Sequence, residues 1–365
     1  MLKRGILLTG ALIFFIILTG CFQGEQSLEE MDPPQDAEAV DNLEEEVTTE
    51  DTEAVEDDES DVNEEETGGI ADETNPRELY LLDSNGMVAS QTLELPSPGS
   101  KEVATQVVEY LVKGGPVTSM LPNGFQAVLP EGTEVLGLNL QEDGTIVVDL
   151  SEEFENYEAE NELNILESMT YTLTQFDNVQ KMQLMINGHP QEEMPVNGTP
   201  IREGYSRANG INITGTDTLD LVSSNAVTIH YPTEHNENRY YVPVTQYVNS
   251  DNDEMFGSIV EEMIQGPGLN TNVTHVFNAQ TELTDTPTLE DGVLELVFSE
   301  DVLTDTEQAM ISDEVMETIV RTLTGQQSVD AVDVKVENMD QLVNENGETY
   351  DEPVTGQSFL PSEKL

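Results

Sequence analysis

Asp143-Gly144-Thr145-Ile146-Val147-Val148-Asp149-Leu150-Ser151-Glu152 returns 148 residues later as Asp291-Gly292-Val293-Leu294-Glu295-Leu296-Val297-Phe298-Ser299-Glu300. In both copies an Asp-Gly turn opens an apolar, β-branched run and a Ser-Glu pair closes it. That is the pattern of a strand that leaves a hairpin and enters a turn or helix start.

The neighbours of this strand repeat as well. Upstream, Val103, Ala104, Val107, Val108, Leu111 and Val112 end at Gly114-Gly115-Pro116; 152 residues on, Met255, Phe256, Ile259, Val260, Met263 and Ile264 end at Gly266-Pro267. Both sets have the i, i+3, i+4 spacing of an amphipathic helix stopped by glycine and proline. Downstream, Leu166, Met169 and Thr172-Leu173-Thr174 match Met316, Ile319 and Thr322-Leu323-Thr324 at an offset of 150. Closing strands follow over Val179 to Ile186 and Val329 to Val336. Each copy also opens with a hairpin, Glu78 to Asp83 with Met87 to Leu95, and Val227 to Tyr231 with Tyr240 to Val248.

Order, spacing and polarity kept together over offsets of 148 to 152 mean a duplicated domain. The fold class expected is α+β, two tandem duplicated domains of β-β-α-β-β-α-β topology after a disordered acidic linker. The hairpins predict a largely antiparallel sheet with helices on one face. The boundaries read as a signal peptide over 1–20, the acidic linker over 21–76, domain 1 over 77–208 (core 103–191), a linker over 209–224, and domain 2 over 225–356 (core 255–343). Copy two lacks the Leu129-Pro130-Glu131-Gly132-Thr133 turn of copy one.

The amino terminus carries Lys3-Arg4, an apolar run from Gly5 to Leu18, and Leu18-Thr19-Gly20-Cys21. A basic start, a short apolar run and small residues describe a secretory signal, too short for an ordinary bilayer span. The last four residues resemble the lipobox of bacterial lipoproteins, in which Leu18, Thr19 and Gly20 precede the cut and the Cys21 thiol receives a diacylglyceryl lipid with palmitate-type chains. The bland alternative, an uncleaved anchor with an incidental Cys21, does not account for the abrupt change to Gln, Ser and Glu beyond it. Cys21 is the single cysteine of the chain, so an internal disulfide, a CxxC pair and a thiolate zinc site are excluded.

The chain has 365 residues with 12 Lys+Arg against 74 Asp+Glu, a formal charge of −62. Such a surface repels phosphate backbones, which excludes a nucleic-acid binder. Residues 22–76 hold 23 of the acids and no Lys or Arg, which predicts a disordered tether. A neutral coil of that length spans roughly 40 Å and a fully extended one about 190 Å; mutual repulsion lengthens it beyond the first figure. The remaining net charge of −41 on residues 77–365 reads as adaptation to high salt or high pH.

Copy one resembles the GerMN domain of the GerM family of sporulation and germination lipoproteins. The resemblance rests on Leu111 with Gly114 to Pro116, Leu129 to Thr133, Asp149 to Phe154, Tyr171-Thr172-Leu173-Thr174-Gln175-Phe176, Val179, and Ile186-Asn187-Gly188-His189-Pro190. Copy two carries it more weakly, through Gly266-Pro267, Phe298-Ser299-Glu300 and Thr322-Leu323-Thr324. The resemblance implies a non-enzymatic role at the envelope of the sporulating cell: engulfment, the channel between mother cell and forespore, and later germination. It implies membrane attachment by lipid, partners among envelope or sporulation channel proteins, proximity to peptidoglycan, and a place on the extracytoplasmic face of the mother-cell membrane.

The residues themselves offer no catalytic constellation, cofactor site or metal site. His189, His230, His235 and His275 form no HExxH string, and His230 and His235 flank Tyr-Pro-Thr-Glu, which reads as a turn after a strand. GxSxG, Walker A and GxGxxG are absent. The repeated Ser151-Glu152 and Ser299-Glu300 suit a turn or cap needed twice by the fold better than a carboxylate dyad. Asp251-Asn252-Asp253-Glu254 lacks the glycine and distal glutamate of a calcium loop and reads as a helix start. A peptidoglycan-active enzyme remains the alternative function, and a solute-binding lipoprotein a more distant one.

Overall fold

The structure, a computed structural model, describes residues 74–98, 103–213, 224–249, 255–268, 271–326 and 328–359. Leu18, Thr19, Gly20, Cys21, the acidic stretch up to residue 73, Asp251 to Glu254 and residues 214–223 lie outside them. The description begins within the stretch expected as linker, because β1 (Thr74–Leu82) already pairs at Thr74 with Pro96 of β2 (Val88–Pro96).

Domain 1 continues with α1 (Val103–Glu109), β3 (Val135–Leu140), β4 (Thr145–Leu150), α2 (Glu162–Leu173), β5 (Lys181–Ile186) and two short strands, β6 (His189–Pro190) and β7 (Tyr205–Ser206). Domain 2 repeats the order: β8 (Ser224–His235), β9 (Asn238–Asn249), α3 (Met255–Gln265), β10 (Thr288–Glu290), β11 (Val293–Phe298), α4 (Asp313–Thr324), β12 (Ala331–Val336) and β13 (Val354–Thr355). The α+β class and the tandem β-β-α-β-β-α-β order are those read from the sequence, with the small strands as additions.

Two features depart from the expected antiparallel sheet with helices on one face. The hairpins β1-β2 and β8-β9 form two-stranded sheets of their own, while the main sheets run β3-β4-β5-β6, with β7 also on β5, and β10-β11-β12-β13. Within the main sheets β4 lies parallel to β5 and β11 parallel to β12. The reason is the helix between each pair, which carries the chain back to the end from which the first strand started. That helix is covered on both sides: α2 packs on β1 and β5, and α4 on β8 and β12. Of the 12 residues of α2, ten are buried.

The second helix also completes the hairpin's hydrogen bonding. Tyr80 N–H donates to Thr172 Oγ1 at 3.0 Å, and the Ser168 hydroxyl donates to Tyr80 O. Gln175 Nε2 donates to Glu78 O at 2.8 Å, and Glu78 N–H donates to Gln175 Oε1 at 3.3 Å. In domain 2, His230 N–H donates to Thr322 Oγ1 at 3.1 Å. The first threonine of each Thr-Leu-Thr repeat thus joins a buried helix to the edge of a strand, whose amides must be paired once they leave water.

Two local readings are corrected. The first helix ends at Glu109 rather than near Val112, because Val128 N–H and Leu129 N–H both donate to Leu111 O, at 3.0 and 2.9 Å, and Lys113 N–H donates to Leu129 O at 3.0 Å. The Tyr231-Pro232-Thr233-Glu234 stretch is strand and not turn, since β8 runs to His235 with Pro232 opposite Tyr241. A proline fits there because a two-stranded ribbon leaves one side of each strand without ladder bonds. The turn falls at Asn236-Glu237, with φ of 50° and 67°, the left-handed pair of a type I′ hairpin.

Candidate functional site

Two of the segments that carry the family-like motifs in domain 1, the Gly114 to Pro116 stop and the Glu131 to Thr133 turn, face each other across one surface groove. Val112–Pro116 forms one wall and Glu131–Val135 the other, around a volume of about 750 Å³. The glycines explain the spelling of both walls. Gly114 and Gly132 have φ of 72° and 83°, and a Cβ on Gly115 would stand 2.9 Å from Val112 O, nearer than a side chain can approach. Lys113 lies among Glu109, Glu131 and Glu134, and the Thr133 hydroxyl is committed to Pro130 O at 2.8 Å. In domain 2 the space above the matching Gly266 is taken by His275, whose Nε2 lies 2.9 Å from Ile264 O.

The repeated Ser-Glu pairs hold the fold. Glu134 N–H donates to Ser151 Oγ at 3.0 Å, and Ser151 N–H donates to Glu134 O at 3.0 Å. Glu282 and Ser299 repeat both bonds, at 3.3 and 2.9 Å. Ser151 and Ser299 each precede a short 3-10 turn, so each hydroxyl joins that turn to the loop ahead of the previous strand. The hydrogen bond from Ser151 holds the Glu153 carboxyl below its usual range.

The four histidines are dispersed: His189 lies in β6, His230 within β8, His235 at its end and His275 over Gly266. Among the described residues no three His, Cys, Asp or Glu side chains gather as a metal site. Burial, together with the nearby Arg321 and Arg207, lowers the His230 pKa to about 3, so its ring is neutral at ordinary pH.

What the sequence did not reveal is how firmly the two domains are joined. The first residues of the expected 209–224 linker form a clamp. Asn212, at φ 46°, accepts from Val88 N–H at 2.9 Å and donates from Nδ2 to Val88 O at 2.7 Å and to Pro243 O at 2.8 Å. One side chain therefore holds the edges of β2 and β9 together. Its own N–H donates to Glu167 Oε2 at 3.1 Å. Ile211, fully buried, exchanges bonds with Thr245: its N–H donates to Oγ1, and Thr245 N–H donates to Ile211 O, both at 2.9 Å.

Further along the same seam the Tyr240 hydroxyl donates to Asp83 Oδ2 at 2.8 Å, and the Tyr240 ring meets Phe125 edge-on at 4.7 Å. Arg207 stacks over Tyr171 at 4.5 Å and donates to Tyr171 O at 3.2 Å, capping the end of α2. The described residues of both domains accordingly belong to a single compact unit. No helix among the described residues is long and apolar enough to cross a membrane. The proposed lipid site at Cys21, with Leu18, Thr19 and Gly20, lies outside the described residues.

Comparison with known proteins agrees with this architecture. The family model Germane, "Sporulation and spore germination", matches twice, over residues 78–192 and 228–341. A curated relative, the spore germination protein GerM of Bacillus subtilis, is 41% identical over 361 residues, covering 97% of each chain. The solved tandem GerMN domains of the sporulation protein GerM from Bacillus subtilis superpose with a TM-score of 0.71 at 43% identity, covering 77% of this chain and 96% of that one. The first GerMN domain of the same protein, solved alone, is 54% identical over 37% of this chain and 98% of its own, with a TM-score of 0.35. The chain thus belongs to the GerM family of sporulation and spore germination proteins and carries its tandem GerMN domains.

Proposed function

We propose that the protein is a lipid-anchored scaffold that works by protein contacts and without catalysis, outside the cytoplasm of the sporulating cell. Its place is the mother-cell membrane facing the intermembrane space, its task engulfment and assembly of the channel to the forespore, with a later part in germination. The observation that carries this reading is the Asn212 clamp. It ties the two domains together by three side-chain hydrogen bonds, and a scaffold has to hold its binding surfaces in a set relation. The sequence adds a sole cysteine at the lipid-attachment position and a 52-residue acidic stretch, from 22 to 73, between it and β1. The two acyl chains of one diacylglyceryl group make a lasting anchor, at about 0.8 kcal/mol per buried methylene.

Cross-linking and pull-down from sporulating cells tests the proposal, with Cys21→Ala as control. Recovery of envelope proteins with the native chain, and loss of both membrane retention and those partners with Cys21→Ala, is the expected result. Release of muropeptides by the purified chain, abolished by one carboxylate substitution, would instead establish a peptidoglycan-active enzyme and overturn the scaffold reading.

A further inference from the structure

The main sheet of domain 1 ends on β3, and this edge is unlike the surface around it. Val135-Leu136-Gly137-Leu138-Asn139-Leu140 contains no charged residue, in a chain with 74 acidic and 12 basic ones. Leu136 and Leu140 are 49% and 40% exposed. Soluble proteins ordinarily blunt an edge strand by making it short, charging it or placing proline in it, because an open edge is a template for another strand. Domain 2 follows that rule: its matching edge strand β10 has three residues and ends on Glu290. Domain 1 does not. Among the described residues β3 is paired on one side only, with β4, and the shift in register between Val135 and Gly137 turns Leu136 out of the ladder.

The charges at the two ends of the strand say what it fits. Glu131 and Glu134 precede the apolar stretch, and Glu142 and Asp143 follow it. Val135 belongs both to β3 and to the groove walled by Val112–Pro116 and Glu131–Val135, so the edge runs into a cleft where Glu109, Glu131 and Glu134 outnumber Lys113; at the far end Asp143 lies 3.8 Å from Lys181, and Glu142 has no ion pair among the described residues. A second copy of this chain is a poor occupant. It would bring the same acids to both ends, on a folded part that already carries a net charge of −41.

We infer that the β3 edge is a docking site for an extended segment of a partner protein, apolar in its middle and basic at both ends, which adds to the sheet as a further strand. The main chain of the segment pairs with β3, its apolar side chains cover Leu136 and Leu140, and its basic ends meet Glu131 and Glu134 on one side and Glu142 and Asp143 on the other. This deepens the scaffold reading, on which it rests, by naming a surface and a partner chemistry. It also accounts for the divergence of the copies, since domain 1 alone keeps both the long uncharged edge and the Leu129–Thr133 turn that walls the groove.

The test uses the full-length chain in detergent and a short amidated peptide of alternating Val and Thr between paired lysines, with a glutamate-flanked peptide as control. Fluorescence anisotropy should show saturable binding of the lysine-flanked peptide only, with slowed amide exchange in Val135–Leu140. Leu136→Asp together with Leu140→Asp should weaken binding by about tenfold or more. Leu136→Asp alone, at the register shift, serves as the second variant should the pair disturb folding. Glu134→Lys with Glu142→Lys should reverse the preference between the peptides.

Absence of binding, unchanged affinity in these variants, or self-association through β3 in molar salt would overturn the assignment. Should cross-linked partners and membrane retention persist in that case, the scaffold reading stands and the β3 site alone is lost.

Discussion

Tyr240 of domain 2 donates its hydroxyl hydrogen bond to the buried Asp83 of domain 1, 2.8 Å away. The other oxygen of Asp83 accepts from Asn85 N–H and Met87 N–H at 2.8 and 2.9 Å, so one carboxylate both shapes the β1-β2 turn and ties it to the next domain. Tyr240→Phe keeps the ring against Phe125 and removes only the donor. It should cost about 2 kcal/mol in urea unfolding, the range for a hydrogen bond to a buried charge. Combined with Asn212→Ala, it should split one cooperative transition into two, because the domains then lose both ends of their seam.

Glu162, fully buried at the start of α2, accepts from Thr199 Oγ1 and N–H at 2.6 and 3.0 Å, from Asn197 N–H at 2.6 Å and from the Tyr157 hydroxyl at 2.9 Å. Burial alone would raise its pKa, but these donors together hold the carboxyl below its usual range. Its contribution is therefore complete above the ordinary carboxylate pKa and lost as pH falls through the lower folded value. Glu162→Ala strands the Asn197 and Thr199 amides and should destabilise domain 1 by about 3 kcal/mol at neutral pH. Chemical denaturation of the variant measures it.

Glu167 behaves in the opposite sense. Burial raises its pKa to about 7, opposed by the hydrogen bond from Asn212 N–H. An acid whose folded pKa is raised loses stability as pH climbs from the unfolded value near 4.5 to the folded value, and the loss levels off above it. The native chain should therefore fall relative to Glu167→Gln by on the order of 3 kcal/mol between about pH 5 and pH 8. Parallel urea titrations of the two proteins across that window give the difference directly; a difference that does not change with pH contradicts the assignment.

The excess of acids on the folded part should make stability depend on salt. Repulsion among exposed carboxylates is screened beyond about 8 Å at physiological ionic strength and about 3 Å at molar salt. The melting temperature should rise steadily from low to molar sodium chloride. A chain equally stable at both ends of that range would show that the acidity is no adaptation to salt.

How far the sequence could be read depended on the range of the interactions involved. Strands Thr145–Leu150 and Val293–Phe298 and the helices around Met169 and Ile319 were legible, because each is set by a local apolar period and each occurs twice. The parallel pairing of β4 with β5 was not, since it depends on where α2 packs rather than on the strands' own residues. Ser151 was legible as a turn residue, yet its hydroxyl bond reaches back to Glu134 across 17 residues. Thr172 and Gln175 identified the family without revealing that they pair the edge of β1. Asn209 to Ile213 reads as the start of a polar linker, yet Ile211 within it is fully buried, and the position of Asn212 between Val88 and Pro243 makes it a clamp.

Returning Cys21→Ala to a strain that lacks the gene asks whether a lipid-anchored pair of domains acts in sporulation. Membrane fractions and germinating spores are then counted against the native chain. The native chain should be on the membrane with normal spores, and the Cys21→Ala chain released with spores failing in formation or germination. A Cys21→Ala chain that stays on the membrane, or that restores sporulation and germination in full while released, would contradict that expectation.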